Sequence, residues 1–347
     1  MPMSTDPLVL APNLKKRLSG VTATIARLVP LQARRIAIRA TGPGLPPSTP
    51  HIPLPAVALL PRGTRRVWHA RRNVEMLAGL ALRHGLRKNL KLLFTSASQR
   101  RHSRYTRWLI ARMDAVVATS AKGAAYLEVP ATVVHHGIDP EQFAPADKAA
   151  IRAKLGLPEG RLIGCFGRVR RQKGTDVFVE AMLANLAAHP DITGIILGRA
   201  TAQHREFEQG LKDRVAAAGA ADRIRFCGEV TVDAIPEWYR ALDLFIAPQR
   251  WEGFGLTPLE AMACGVPVLA TRVGAFEELV LDGETGRLIP YDDIPAMAEA
   301  LGAVLDDPAL LPRWSGAARA HVCRHFTLER EADTLIGIYE ALLDSPP

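Results

Sequence analysis

Short apolar runs recur along the chain and read as strands. In the first part they lie at 7–11 (PLVLA), 35–39 (RIAIR), 66–69 (RVWH), 91–95 (KLLFT) and 114–119 (DAVVAT). In the second they lie at 161–166 (RLIGCF), 195–199 (IILGR), 223–226 (RIRF), 243–247 (DLFIA) and 268–270 (VLA). Segments with helical spacing stand between them, at 21–32 (Val21, Ile25, Leu28 and Val29 on one face), 74–83, 175–188 and 236–241, with a last one at 328–343. Residues 41–55, rich in Gly and Pro, predict an irregular loop. This alternation predicts an α/β protein whose ligands bind past the carboxyl ends of the strands.

Length adds that the 347 residues suffice for two domains, each with its own core. Cys165, Cys227, Cys264 and Cys323 are far apart and lack metal-ligand spacing, which reads as cytosolic thiols. The sequence shows no membrane-spanning apolar run and no signal-peptide core, so a cytoplasmic protein is expected. Charge changes the picture more. Residues 1–145 carry 22 Lys and Arg against 6 Asp and Glu, a net of +16, whereas the remainder carry 22 against 29, a net of −7. Such asymmetry points to an anionic partner for the first half, a nucleic acid or an anionic membrane surface.

The candidate chemistry is concentrated in residues 250–267 (RWEGFGLTPLEAMACGVP). Glu252 and Glu260 have seven residues between them; the turn Gly253-Phe254-Gly255 follows the first, and a helix-forming run carries the second. Free backbone N–H groups at such a helix start favour a phosphate or diphosphate. Upstream, the strand 161–166 runs into the basic glycine loop 167–174 (GRVRRQKG), with Gly167, Arg168 and Lys173. Near the start, the loop 12–20 (PNLKKRLSG) brings Gly20 to the next helix, a weak anion site for which a plain Ser19 cap is an equal alternative. His69 and Arg71 follow a strand's carboxyl end and are candidates for the interdomain cleft, His69 as a catalytic residue; a lone His there is equally a structural residue. Residues 99–113 (QRRHSRYTRWLIARM) interleave arginines with Tyr105, Trp108, Leu109 and Met113, which suits either an anionic membrane interface or a solvated helix face.

The string EGFGLTPLEAMACGVPV resembles the E-x7-E region of retaining glycosyltransferases of the GT-B fold, family 4 type. The resemblance implies two Rossmann-like domains facing across a cleft, with a C-terminal helix crossing back. It sets an acceptor-binding domain at 1–145, a nucleotide-sugar-binding domain at 146–325 and the crossing helix at 326–347. It also implies that Glu252 contacts donor-sugar hydroxyls and Glu260 the ribose. Arg168 and Lys173, in a loop similar to the family's G-R…K-G, would clamp the donor diphosphate together with backbone N–H groups from Phe254, Gly255, Leu256 and Thr257. Gly198 ends a strand in a glycine turn, and Gly228-Glu229-Val230 resembles the loop that holds the base through its backbone. Gly20 lies in the loop that approaches the diphosphate. Residues 133–143 (VVHHGIDPEQF) resemble the interdomain connection, and 274–286 (GAFEELVLDGETG) a family segment in which Phe276-Glu277 replaces the usual proline neighbourhood. Many relatives carry H-x-H near the reacting centre; here the triplet is His69-Ala70-Arg71.

The strings APNLKKRLSGVTATI, VWHARRNVEMLAG and FTSASQRRHSRYTRWLIARMDAV are most similar to lipopolysaccharide-core mannosyltransferases of the LpcC type. That likeness implies GDP-mannose as donor, a Kdo-containing inner-core acceptor on lipid A, no metal or other cofactor, and peripheral association with the cytoplasmic face of the inner membrane. Rival expectations are a hexosyltransferase using a UDP-sugar, a basic nucleic-acid binder, and a silent scaffold that binds nucleotide sugars. A nucleic-acid binder would leave the diphosphate loop and the paired glutamates unexplained.

Overall fold

The computed structural model describes residues 6–16 and 20–345. Ser19, the alternative cap, and Arg17 of the first loop lie outside the described residues. Two compact units divide the chain: one runs to His136 and resumes at Leu328, the other is Gly137–Thr327. The expected boundary at 145 lies nine residues beyond the first of these, and that at 325 two residues before the second. Ile138 donates to Phe326 O (2.9 Å), Arg319 Nη1 donates to Pro140 O (2.7 Å), and Phe143 is buried against Tyr239, so this connection belongs to the second unit. Taken over the units, 23 basic against 9 acidic residues give the first +14, which leaves −5 for the second.

The first unit holds β1 (Val9–Pro12), β2 (Ile38–Thr41), β3 (Arg66–Ala70), β4 (Leu90–Ser96), β5 (Ala115–Ala118) and β6 (Thr132–Val133). All are parallel, in the order β2-β1-β3-β4-β5-β6. The second unit holds β7 (Arg161–Phe166), β8 (Ile192–Leu197), β9 (Ile224–Gly228), β10 (Leu244–Ala247), β11 (Val268–Thr271) and β12 (Gly286–Ile289). These are also parallel, in the order β12-β11-β10-β7-β8-β9. Side chains alternate across a strand, yet both faces are apolar here because helices cover both. In the first sheet Val9, Ala11, Val67 and Leu93 face one core, shared with the helices Gly20–Gln32 and Leu328–Asp344. Leu10, Trp68, Leu92 and Phe94 face the other. In the second, Leu162, Phe245 and Val268 face one core, and Ile163, Ile246 and Leu269 the other.

Several elements shift from their expected bounds. The strand expected at 35–39 is β2, three residues on, because Arg35 and Ile36 donate to Gln32 O (2.9 and 3.0 Å) and so close the preceding helix. Within the expected loop 41–55, Leu54 and Pro55 already begin the short helix Leu54–Leu59. The helix expected at 74–83 is Asn73–Leu80 followed by a π turn, and that at 175–188 is Thr175–Asn185. The basic segment 99–113 is helical only over Arg104–Ile110. Its start is fixed by the Ser103 hydroxyl, which accepts from Thr106 N (3.2 Å). Among the described residues, no helix is long and apolar enough to cross a membrane.

Candidate active site

In the second sheet the strand order reverses between β7 and β10, and in open α/β sheets ligands bind at such switch points, past the carboxyl ends of the strands. The basic loop 167–174 leaves β7 there, and the loop 248–256 leaves β10 beside it. Gly174 is at φ +72°, and a Cβ on it would lie 1.8 Å from Pro248 O, so only glycine lets the two loops approach this closely. Arg250 ties them. Its Nη1 and Nη2 donate to Asp176 Oδ1 and Oδ2 (2.7 and 2.9 Å), Nη1 also to Arg171 O (2.6 Å), Nε to Asp292 Oδ1 (2.5 Å), and its backbone N to Gln172 O (3.0 Å).

This tie brings Lys173 and Glu252 together as an ion pair, each less than a quarter exposed. Glu252 Oε1 also accepts from Gly253 N (3.0 Å). Arg168, by contrast, is exposed and makes no ion pair or hydrogen bond among the described residues. It is a cation past a strand end with its charge available. Glu260, in the first turn of the helix Thr257–Ala263, accepts a hydrogen bond at Oε2 from Tyr239 Oη (2.8 Å). Burial first, and then the Glu260 carboxylate, hold the Tyr239 phenol well above its usual pKa, which keeps it a donor. Thr257 Oγ1, Gln249 Oε1 and Arg170 Nε are buried with no hydrogen-bond partner among the described residues, so polar capacity near this switch point is unused.

The turn after Glu252 is shaped by Phe276, the residue that departs from the family pattern. It is fully buried, and a Cβ on Gly255 (φ +91°) would lie 2.2 Å from its Cε1. Phe254 is buried in the core and its carbonyl accepts from Ala275 N (3.2 Å), so the turn is tied to the start of the helix Phe276–Leu279. Gly167 and Gly198, both at left-handed φ, meet where β7 and β8 end: Gly167 N donates to Leu197 O (2.8 Å) and Gly198 N to Gly228 O (2.6 Å). Glu229 pairs with Arg199 (2.6 Å) at an exposed position, and Val230 packs against the core.

The remaining expected residues lie in the first unit. Gly20 begins the helix Gly20–Gln32 and is exposed. His69 is wholly buried: Nδ1 is 2.8 Å from Tyr339 Oη, and Nε2 is 2.6 Å from Thr95 Oγ1. Burial, then the charge of Arg71, hold its pKa well below the ordinary value, so the ring is neutral. With both nitrogens engaged, His69 pins the returning helix to the sheet. The order of the first sheet also reverses, between β1 and β3, and there a buried set that sequence reading passed over fixes the loops. Arg72 Nη1 donates to Asn13 Oδ1 (2.9 Å) and Glu75 Oε1 (2.8 Å), and Glu75 Oε2 accepts from Arg71 N (2.8 Å). Arg72 and Glu75 at i, i+3 was the available signal. Among the described residues, no group of three or more His, Cys, Asp or Glu is placed to hold a metal ion.

Comparisons with known proteins agree with this arrangement. Residues 160–307, which carry both loops of the switch point, match the family described as glycosyl transferases group 1. The lipopolysaccharide core biosynthesis mannosyltransferase LpsB of Rhizobium meliloti (strain 1021) is 55% identical over 349 residues, covering 97% of this chain and 98% of its own. The corresponding LpcC of Rhizobium leguminosarum bv. viciae is 50% identical over 349 residues, covering 99% of each. Among solved structures, Anabaena Alr3699/HepE in complex with UDP superposes with a TM-score of 0.84 at 18% identity, covering 96% of this chain and 99% of its own. That likeness shows a GT-B fold. The chain belongs to the group 1 glycosyltransferases and, within them, to the lipopolysaccharide core biosynthesis mannosyltransferases.

Proposed function

We propose that this mannosyltransferase takes its sugar from GDP-mannose and passes it, with retention at the anomeric carbon, to a Kdo-containing inner-core acceptor on lipid A. The observation that carries the donor site is the Lys173–Glu252 ion pair at the switch point of the second sheet, with Glu260 oriented by Tyr239 close by. In the proposed reaction the bond between the anomeric carbon and the β-phosphate oxygen breaks as an acceptor hydroxyl attacks from the same face. The hydroxyl proton passes to the departing phosphate oxygen. Negative charge gathers on the diphosphate as this bond breaks, before the proton arrives. Arg168 and Lys173 would supply the cations that meet it, where such charges contribute most. Glu252 turns from Lys173 to the donor-sugar hydroxyls, Glu260 takes the ribose hydroxyls, and the unpaired Thr257 hydroxyl donates to a phosphate oxygen. No metal ion has a part in this scheme, so EDTA is expected to leave the rate unchanged.

The net charge of +14 on the first unit supports an acceptor rich in phosphate and carboxylate. The names of the two full-length relatives support mannose and the lipopolysaccharide core. We place the enzyme in the cytoplasm, at the membrane face that carries such an acceptor.

A thermal-shift panel with GDP, UDP, ADP and their sugar conjugates tests the donor. A ligand that binds only the folded state stabilises it by about 2.7 kcal/mol at a hundred times its dissociation constant. A shift with GDP and GDP-mannose, lost in Glu260→Ala, is expected. A shift with UDP compounds alone would refute GDP-mannose, and no shift with any nucleotide would refute the donor site.

A further inference from the structure

Three arginines stand on or just past β3, and their surroundings differ. Arg66 is fully buried on the strand and is matched by Asp6 (2.6 Å). Arg72 is matched by Glu75 (2.8 Å) and also donates to Asn13 Oδ1 (2.9 Å). Arg71, between them in the chain and partly buried, forms no ion pair among the described residues. A guanidinium carries five N–H donors in a planar fork. The hydrogen bonds of this one run only to His69, to its backbone O and its ring Nδ1, each at 3.3 Å. Because Arg71 can only donate, Nδ1 accepts, and the proton of the neutral ring sits on Nε2, facing Thr95 Oγ1 (2.6 Å). His69 thus backs the guanidinium without neutralising it.

Arg71 also walls a polar cavity at the carboxyl ends of β3, β4 and β5, with room for about one water-sized group. Thr24, His69, Thr95, His136 and Glu331 line the same space. Glu331 is its one acid; it is buried, lies 2.7 Å from His136 Nδ1, and forms no ion pair with Arg71. A part-buried cation without an acid costs stability and is a ready partner for an anion. A planar carboxylate matches a single guanidinium fork with two parallel hydrogen bonds, and one of its oxygens fills a water-sized space. A phosphate would bring more charge and a third oxygen to a space that offers one fork. We propose that Arg71 recognises a carboxylate on the acceptor sugar, so that the enzyme distinguishes an acidic sugar from a neutral one. This assignment deepens the reading of a Kdo-containing acceptor and rests on it for the identity of the sugar.

The test is calorimetric binding of a soluble, phosphate-free Kdo-terminated oligosaccharide to the full chain, with and without GDP. The ligand is used as the free acid and as its carboxamide, which keeps the shape and loses the charge. Wild type is expected to bind the acid about tenfold or more tightly than the amide. Arg71→Gln should bind the two alike, and Arg71→Lys, which keeps the charge but not the fork, should retain part of the preference. Both variants should keep the thermal shift with GDP. A structural role alone would weaken acid and amide together and leave their ratio unchanged. Equal binding of acid and amide by wild type, or an undiminished preference in Arg71→Gln, would overturn the proposal and leave the acceptor reading standing. Should Arg71→Gln not fold, an undiminished preference in Arg71→Lys would overturn the fork contact in its place. No binding of either form by wild type, with or without GDP, would overturn the acceptor reading and the proposal with it.

Discussion

Replacing Arg250 by Ala removes the tie between the two loops of the switch point. Four side-chain hydrogen bonds are lost, three of them to Asp176 and Asp292. The guanidinium is 14% exposed and Asp176 19%, whereas Asp292 is 49% exposed. Breaking a fully buried pair by removing one partner costs about 3–5 kcal/mol. Here Asp292 rehydrates readily and Asp176 in part, which lowers the expectation to about 2–3 kcal/mol. For a unit of this size each kcal/mol moves Tm by roughly 2–4 °C, so a fall of about 4–12 °C is expected by scanning calorimetry. Arg250→Lys keeps the charge but not the fork and should lie between the two. Because the loop 167–174 loses its anchor, GDP affinity should fall about tenfold, equivalent to about 1.4 kcal/mol. If Tm moved by less than about 1 °C and GDP bound as before, the geometry assigned to this loop pair would be wrong.

His69 predicts a pH effect. Its folded pKa is depressed, so below the unfolded value near 6.5 the unfolded chain binds more protons and stability falls as pH falls, with a slope approaching about 1.4 kcal/mol per pH unit. In urea titrations at pH 7.5 and 5.5, His69→Asn should be less stable at the higher pH yet lose less on acidification; an unchanged pH dependence would contradict the assignment. Burial pushes the Cys165 and Cys264 thiols up to about 12, while Cys323 is exposed. A native-state thiol titration should therefore label Cys323 fast, half-buried Cys227 slowly and the other two only on unfolding. Gly255→Ala places a Cβ against Phe276 at a positive φ, and should cost about 1–3 kcal/mol together with donor binding. Wild-type stability and donor affinity in that variant would show that the turn tolerates a side chain.

The second unit was the more legible because its chemistry is carried by short contiguous strings. Lys173 and Glu252 could each be picked out from their own loops, although nothing in their spacing shows that they pair. Arg250 stood at the edge of the most telling stretch and drew no role, because its partners Asp176 and Asp292 are 74 and 42 residues away. Tyr239 was likewise read only as part of a short helix, since its partner Glu260 lies beyond an intervening strand and turn. The reversal of strand order that makes β7 and β10 neighbours is a property of the sheet, and no local pattern encodes it. In the first unit, helical spacing over 99–113 overran the real helix because apolar periodicity does not reveal where a serine caps. The β2 shift has the same origin: Ile36 and Ile38 fit either frame, and the hydrogen bonds to Gln32 O decide.

The central claim is that Arg168 and Lys173 stabilise the departing diphosphate in mannosyl transfer. Its most direct measurement is the single-turnover rate of transfer from GDP-mannose to a Kdo-lipid A acceptor, with donor affinity measured alongside. Losing one preorganised donor of this kind costs about 10²–10³ in rate. The account predicts that loss for Arg168→Ala and for Lys173→Ala, with donor affinity changed far less; Tm should be nearly unchanged in Arg168→Ala and lower in Lys173→Ala, which leaves Glu252 without its partner. A wild-type rate in either variant, or a loss explained wholly by weaker donor binding, would contradict it.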